Sequence, residues 1–463
     1  MQKSKVYLPK PLLYVLILGL VLRIFFLFYY KQLWWDSAVY VGMGKYLFSD
    51  GVLGIWETLR PVVLPVILGF FWKLKFDVVL AGRIFGILIS LASVYLSFFI
   101  GKKLFNEKVA LLAAFLLAIT PTFLFFGSMI LSGPLALFFL LFGIYLFIEK
   151  REFWAGIFFG LAFVTRFSVG LVFAAAIVVL IVYVIAKKDD VLSFFKKLGL
   201  LFLGFVIPVI PFLLYNHQRY GNILEPFLEA NRVFSITNIS TYTSAGYYWQ
   251  NMVFENIFIY LAVISMFFVF RKKQWEKLIV VLSAVFLFVS FAVQGHKEIR
   301  FFITFFPFLY LLAAEGVFYV DKWFRTKRVR GFLVVVIVVA VVSTVAVSMA
   351  SLTNYDYTDN YIKEKEYYGF FEGDEGTVLA SSPVPVAYIN NPLVVIYRVP
   401  FEGMLESYMQ DADYAMINKC ELFCPVSDME CPGHRADFMH ELREYDILYD
   451  KELLGCQHLI IKK

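Results

Sequence analysis

"TPTFLFFGSMILSGPLALFFLLFGIYLF", residues 120–147, holds no charged side chain and then runs into Glu149, Lys150 and Arg151. A helix that apolar on every side has no face to offer water, so it belongs inside a bilayer or a very large core. Crossing the hydrocarbon takes roughly twenty residues. The stretch predicts the end of one span over 108–127 and nearly all of another over 131–148.

The same composition extends outward in both directions. The chain has 463 residues, is 60% hydrophobic and has a mean hydropathy of +0.74, whereas a soluble domain is about 45–50% apolar. Apolar segments predict further spans near 11–30, 78–100, 153–167, 168–186, 198–216, 253–270, 278–294, 301–320 and 331–350, giving eleven in all. Only helices and closed barrels satisfy the backbone in lipid, and segments of this length are helices. The N-terminal "MQKSKVYLPK" shows no small-residue cleavage site after it and reads as the lead-in to a retained first span. The apolar segment 61–76 is short and is expected as a re-entrant or juxtamembrane helix.

Charge divides the chain. Residues 1–350 carry 33 Lys/Arg against 16 Asp/Glu, and residues 351–463 carry nine against 20. All four cysteines, Cys420, Cys424, Cys431 and Cys456, lie in the acidic part. The expected fold is therefore a polytopic α-helical membrane domain, 1–350, followed by a soluble α/β domain, 351–463. Basic residues gather in cytoplasmic loops. The segments 1–10, 101–108, 149–151, 187–197, 271–277 and 321–330 hold 21 of them, and 31–80, 217–252 and 295–300 hold nine. This predicts a multi-pass protein of the cell membrane with its N-terminus in the cytoplasm and its acidic domain outside.

In the tail, "TVLAS", "PLVVIYRV" and "YAMINKC" read as strands, "EGMLESYMQDAD" and "RADFMHELREY" as helices, and "HLIIKK" as a closing apolar run. Outside the cytoplasm the cysteines are expected as two disulfides, with three pairings open. The alternative is a zinc site from Cys420, Cys424, Cys431 and His434, whose C-x3-C-x6-C-x2-H spacing lacks a C-x2-C pair.

On this topology several ionisable groups collect on the outer face. "KQLWWDSAVYVGMGKYL", residues 31–47, places one acid, Asp36, among Trp34, Trp35 and Tyr40 where the first span ends. "WETLRPVVLP" adds Glu57 and Arg60. Arg166 interrupts the apolar "FVTRFSVG". His217 and Arg219 follow in "YNHQRYGNILEP", and His296, Lys297, Glu298 and Arg300 in "QGHKEIRFFITFFP". A lone Lys or Arg at a helix end is explained by snorkelling to headgroups, and Trp and Tyr there by the interfacial belt. Several cations facing one acid call for more, because charge at the hydrocarbon edge is costly.

The chemistry that suits them is transfer of a sugar from a lipid phosphate. Asp36 would act as general base on an acceptor hydroxyl. Lys297, Arg300, Arg166 and His296 would hold the leaving phosphate, Arg by its planar fork and Lys as a point charge. Glu57, Arg60, His217, Tyr40 and Trp249 would position substrate, and Tyr247 and Tyr248 could stack on sugar faces.

At these residues the chain resembles the GT-C membrane glycosyltransferases, in the branch of protein O-mannosyltransferases and lipid A aminoarabinose transferases. The likeness covers about 1–320. It rests on "WWDSAVYVGMGKYL", "ETLRPVVLP", "AGRIFGILISLASVYLSFFIGKKLF", the 120–147 stretch, "GLAFVTRFSVGL", "YNHQRYGNILEP" and "HKEIRFFITFFPFLYLLAAEG". It implies an inverting transferase that moves a sugar, mannose among the candidates, from a polyprenyl or dolichyl phosphate to a hydroxyl of a glycan, lipid or protein. Asp36 matches that family's first-loop catalytic acid, and Lys297 and Arg300 match the region near its donor phosphate. Two positions depart from the pattern. Ser37 follows Asp36 where many relatives have Glu, and Gly133 stands where many have an acid before Pro. A divalent metal is accordingly possible but less expected. Nucleic acid is not among the expected partners. The competing readings are a transporter or lipid-sugar flippase, against which no internal repeat is seen, and a non-catalytic lipid-sugar-binding relative.

Overall fold

The computed structural model describes residues 9–31, 33–187, 190–240, 246–293, 297–323, 339, 346, 367–371, 375–396, 404–422, 424, 429–453 and 455–463. In chain order the helices of the membrane region are α1 (Lys10–Tyr29), α2 (Trp35–Phe48), α3 (Val63–Lys73), α4 (Val78–Leu104), α5 (Glu107–Ile119), α6 (Pro121–Gly127), α7 (Ser132–Ile148), α8 (Glu152–Thr165) and α9 (Leu171–Lys187). They continue with α10 (Val191–Tyr220), α11 (Glu225–Ser240), α12 (Tyr247–Glu255), α13 (Ala262–Arg271), α14 (Leu278–Ala292) and α15 (Phe306–Trp323). This is a polytopic α-helical membrane protein. Among the described residues, five helices are long and apolar enough to cross a bilayer alone, and counting each of two bent pairs as one span raises the number to seven. Several expected spans are shorter helices, among them α7 and α8. The eleventh expected span, 331–350, lies outside the described residues apart from Val339 and Ala346. Segment 61–76 is the short helix α3, as its length suggested.

The chain groups into two compact units. One comprises Met1–Leu27, Ile84–Phe234 and Thr241–Tyr355, and the other comprises Phe28–Arg83, Ser235–Ser240 and Asp356–Lys463. The second unit joins the segment after the first span to the acidic tail, a grouping different from a division at residue 350.

In the first unit small residues allow helices to touch backbone to backbone, the usual packing device where lipid removes the hydrophobic drive. Gly156 and Gly160 on α8 face α10. A Cβ at Gly156 would lie 2.1 Å from the Leu201 carbonyl, and one at Gly160 would lie 2.4 Å from the Phe205 carbonyl. Gly204 returns the contact against Phe153. Two buried cations in this unit, Arg23 and Lys277, have hydrogen-bond acceptors. Arg23, fully buried on α1, donates to Ser90 Oγ (2.7 Å) and to the carbonyls of Gly19 (3.0 Å) and Ala118 (3.2 Å). Lys277 bonds to Glu315, which also accepts from Ser265 Oγ at 2.5 Å. Cation and acceptors thus enter the low-dielectric interior together, as burial of charge requires.

The second unit contains a mixed five-stranded sheet. Its strands are β1 (Val378–Ala380), β2 (Leu393–Val395), β3 (Tyr414–Asn418), β4 (Asp446–Leu453) and β5 (Cys456–Lys462), in the order β2-β1-β3-β5-β4. β1 pairs parallel with β2 and β3, and β5 pairs antiparallel with β3 and β4. Helices α16 (Met404–Gln410) and α17 (Cys431–Glu441) supply Leu405, Met409, Phe438 and Met439 to a core shared with Leu379, Ala415, Ile417, Leu459 and Ile461. Among the described residues the expected strands and helices of the tail are present; 397–399 of "PLVVIYRV" and 402–403 of "EGMLESYMQDAD" lie outside them. β4 was not expected. It is an edge strand exposed at most positions, with Asp450, Lys451 and Glu452 along it. Charge on an edge protects the sheet from pairing with other chains, and it also hides the strand from a reading based on apolar alternation.

The cysteines pair as Cys420–Cys456 and Cys424–Cys431, with sequence separations of 36 and 7. Loop-closure entropy makes the longer link the stronger one, about 4 kcal/mol against about 2.5 kcal/mol. Serine pairs at Cys420/Cys456 are therefore expected to lower the unfolding midpoint more than serine pairs at Cys424/Cys431. Thermal unfolding of the two variants checks this, and an equal or reversed order would contradict it.

Candidate active site

Asp36 lies in the first turn of α2, where backbone N–H groups favour a carboxylate. Four residues later Tyr40 projects from the same helix face. The turn that follows brings Arg60 to both. Arg60 Nη2 lies 2.7 Å from Asp36 Oδ1, and Arg60 Nε lies 2.6 Å from Glu57 Oε2. The guanidinium carbon sits 5.3 Å from the Tyr40 ring centre. Glu57 is three residues before Arg60, and the Arg60 N–H donates to the Glu57 carbonyl at 3.3 Å, so the turn itself sets the second contact.

This network is largely dry. The side chains of Arg60, Asp36 and Glu57 are 16%, 17% and 9% exposed. Burial by itself would lower the Arg60 pKa, but the charges of Asp36, Tyr40 and Glu57 outweigh it and hold the guanidinium well above its ordinary value. Arg60 is a permanent cation bridging two carboxylates. A fork that donates in two directions suits that task, and a lysine would not reproduce it. Upstream, Trp34 Nε1 donates to the Tyr30 hydroxyl at 2.7 Å and Arg83 donates to the Tyr30 carbonyl, which fixes the approach to α2. Asp36, Tyr40, Glu57 and Arg60, singled out separately from sequence, are thus one cluster within the second unit.

The first unit holds the other predicted cations. Arg166 occupies the extended position that ends α8. Its guanidinium carbon lies 5.0 Å from the Phe301 ring centre and 6.0 Å from that of Phe291. Arg300 approaches the same Phe301 ring at 5.8 Å and forms a two-point ion pair with Glu298 at 2.5 and 2.8 Å. Lys297 is buried. The short 3-10 turn Ile299–Thr304 presents this group ahead of α15. Tyr248 is buried with its ring 4.8 Å from Phe302. Trp249 is half exposed and packs at 4.7 Å on Tyr260. His217 is exposed in the last turn of α10. His296 lies outside the described residues.

Among the described residues, no group of three or more His, Cys, Asp or Glu is disposed to hold a metal ion. At the Asp36 cluster the two carboxylates share the Arg60 guanidinium. The sequence reading missed the partner of one residue. Lys45, on α2, reaches the tail, and no local pattern signals a partner so distant in sequence.

Residues 59–215 match the family described as dolichyl-phosphate-mannose-protein mannosyltransferase. No curated protein matches the chain in sequence. Among solved structures, ArnT from Cupriavidus metallidurans bound to undecaprenyl phosphate is similar with a TM-score of 0.63 and 12% identity, covering 97% of each chain. The archaeal oligosaccharyltransferase AglB from Archaeoglobus fulgidus, in complex with an inhibitory peptide and a dolichol-phosphate, has a TM-score of 0.62 and 11% identity. It covers 97% of this chain and 74% of that one. The chain shares the fold of these two structures over nearly its whole length, and the family match covers 59–215 of it.

Proposed function

We propose that the protein transfers a sugar from a polyprenyl phosphate to an acceptor hydroxyl on the extracytoplasmic face of the membrane, with inversion. The observation that carries this reading is the Asp36–Arg60–Glu57 network on a GT-C fold. One acid is held against a fixed cation, in the first turn of a helix that follows a span. Asp36 takes the proton of the acceptor hydroxyl. That oxygen forms a bond to the anomeric carbon as the bond from that carbon to the phosphate oxygen breaks. The electron pair leaves on the phosphate. Arg166, Lys297 and Arg300, in the first unit, are proposed separately as phosphate-binding residues. Mannose is the first donor sugar to try, given the family match. The two similar structures were solved with polyprenyl phosphates, which supports a lipid-phosphate donor here. The disulfides fit a domain outside the cytoplasm.

Donor binding tests the cationic half of this reading. Arg166→Ala, Lys297→Ala and Arg300→Ala are each expected to weaken undecaprenyl phosphate binding by about tenfold, since a hydrogen bond to a charged group contributes about 1.5 kcal/mol or more. Titration of the purified variants with the lipid checks it. Unchanged affinity in all three would remove these residues from the donor site.

A further inference from the structure

Nine residues after Asp36, α2 carries a lysine that the chemistry above leaves unused. Lys45 is 3% exposed. Its ammonium donates to the Ile389 carbonyl at 2.9 Å and to Asn390 Oδ1 at 3.1 Å. Both acceptors belong to the turn between β1 and β2 in the sheet domain. Asn390 Oδ1 also accepts from Trp72 Nε1 on α3, at 3.4 Å.

The surrounding contacts are equally close. A Cβ at Gly42 would meet Ile55 at 2.5 Å and Val386 at 3.2 Å, and one at Gly44 would meet the backbone of Pro65 and Gly69 at 2.7 Å. Gly54 has a φ of +84°, its own Cβ would strike the Gly42 carbonyl at 2.2 Å, and its backbone pairs with that of Pro392. "YVGMGKYL" therefore lies between α3, the 54–55 segment and the 384–392 turn, with the glycines allowing contact and the lysine making the polar link. Burial pushes the Lys45 ammonium down to about 8, a cost that a solvated helix face would not carry.

We propose that Lys45 is a positioning residue that pins α2, and with it the Asp36 carboxylate, to the Ile389–Asn390 turn, so that the sheet domain sets the geometry of the base. The role rests on the reading of Asp36 as the acceptor base. It also gives the acidic tail a function within the reaction. A catalytic group displaced by a fraction of an ångström to 1 Å loses much of its rate, whereas donor affinity depends on other residues.

Two variants test it. Lys45→Met keeps the apolar stem and removes the donors, and Asn390→Ala removes one acceptor at an exposed position while leaving α2 intact. The measurements are kcat and KM for transfer from a polyprenyl-phosphate sugar, affinity for undecaprenyl phosphate, and backbone hydrogen exchange of 35–48 and 384–392. Expected are a kcat about tenfold or more lower in Lys45→Met and about threefold lower in Asn390→Ala, with lipid affinity within about twofold of wild type. Exchange should rise in both segments of Lys45→Met and stay unchanged in α8 and α10. Wild-type kcat in Lys45→Met, or a rise in exchange over the whole chain with equal loss of lipid affinity, would overturn the proposal. If the wild-type protein transfers no sugar, the functional reading fails on that result alone, and unchanged exchange in both segments would then separately overturn the pin.

Discussion

Asp36→Asn is expected to lower sugar transfer by about a hundredfold or more, the usual cost of losing a general base, while undecaprenyl phosphate binds as before. The substitution is close to isosteric. The amide oxygen still accepts from Arg60 Nη2, so the turn at 57–60 and its approach to α2 keep their shape. What disappears is the capacity to accept a proton as the acceptor oxygen attacks. The loss should therefore fall on kcat and on kcat/KM together, the signature of an interaction made only in the transition state. A variant within about threefold of wild type would remove Asp36 from proton transfer and leave it as a structural partner of Arg60.

Arg60→Leu is expected to damage stability as well as turnover. It leaves two carboxylates, Asp36 and Glu57, facing one another in a site where 16–17% or less of each side chain meets water. Removing one member of a buried charge cluster costs about 3–5 kcal/mol, because the remaining charge is uncompensated. Partial exposure places this site at the lower end, about 3 kcal/mol. Arg60→Lys restores the charge but cannot reach both carboxylates as the fork does, so it should recover stability in part and transfer hardly at all. Thermal unfolding of both variants beside Glu57→Gln checks the assignment. An Arg60→Leu protein as stable as wild type would show that the network does not hold the loop.

The difference between what could and could not be read from the chain follows sequence distance. Asp36 stood out because an isolated acid at the end of a span is costly without a purpose. Tyr40 shares its helix face, and Glu57 and Arg60 sit three apart in one turn, so that cluster is built from local spacing plus one loop closure. The apolar segments declared a membrane protein by composition alone. Lys45 was invisible for the opposite reason. In sequence it is one basic residue near a helix end, and its acceptors stand more than three hundred residues further on. The contact of Gly156 and Gly160 with α10 likewise depends on which helix faces which. β4 escaped because its exposed edge carries charge instead of alternation. The grouping of 28–83 with the tail is a product of tertiary packing, and no change in composition along the chain announces it.

Purified wild-type protein, supplied with radiolabelled polyprenyl-phosphate mannose and an extract of native membranes, tests the central claim most directly. The account predicts that label passes to an acceptor as polyprenyl phosphate is released, with the anomeric configuration inverted, and that Asp36→Asn abolishes the transfer. Label that crosses a proteoliposome bilayer while remaining on its lipid, at the same rate in wild type and Asp36→Asn, would contradict it and identify a transporter on this fold.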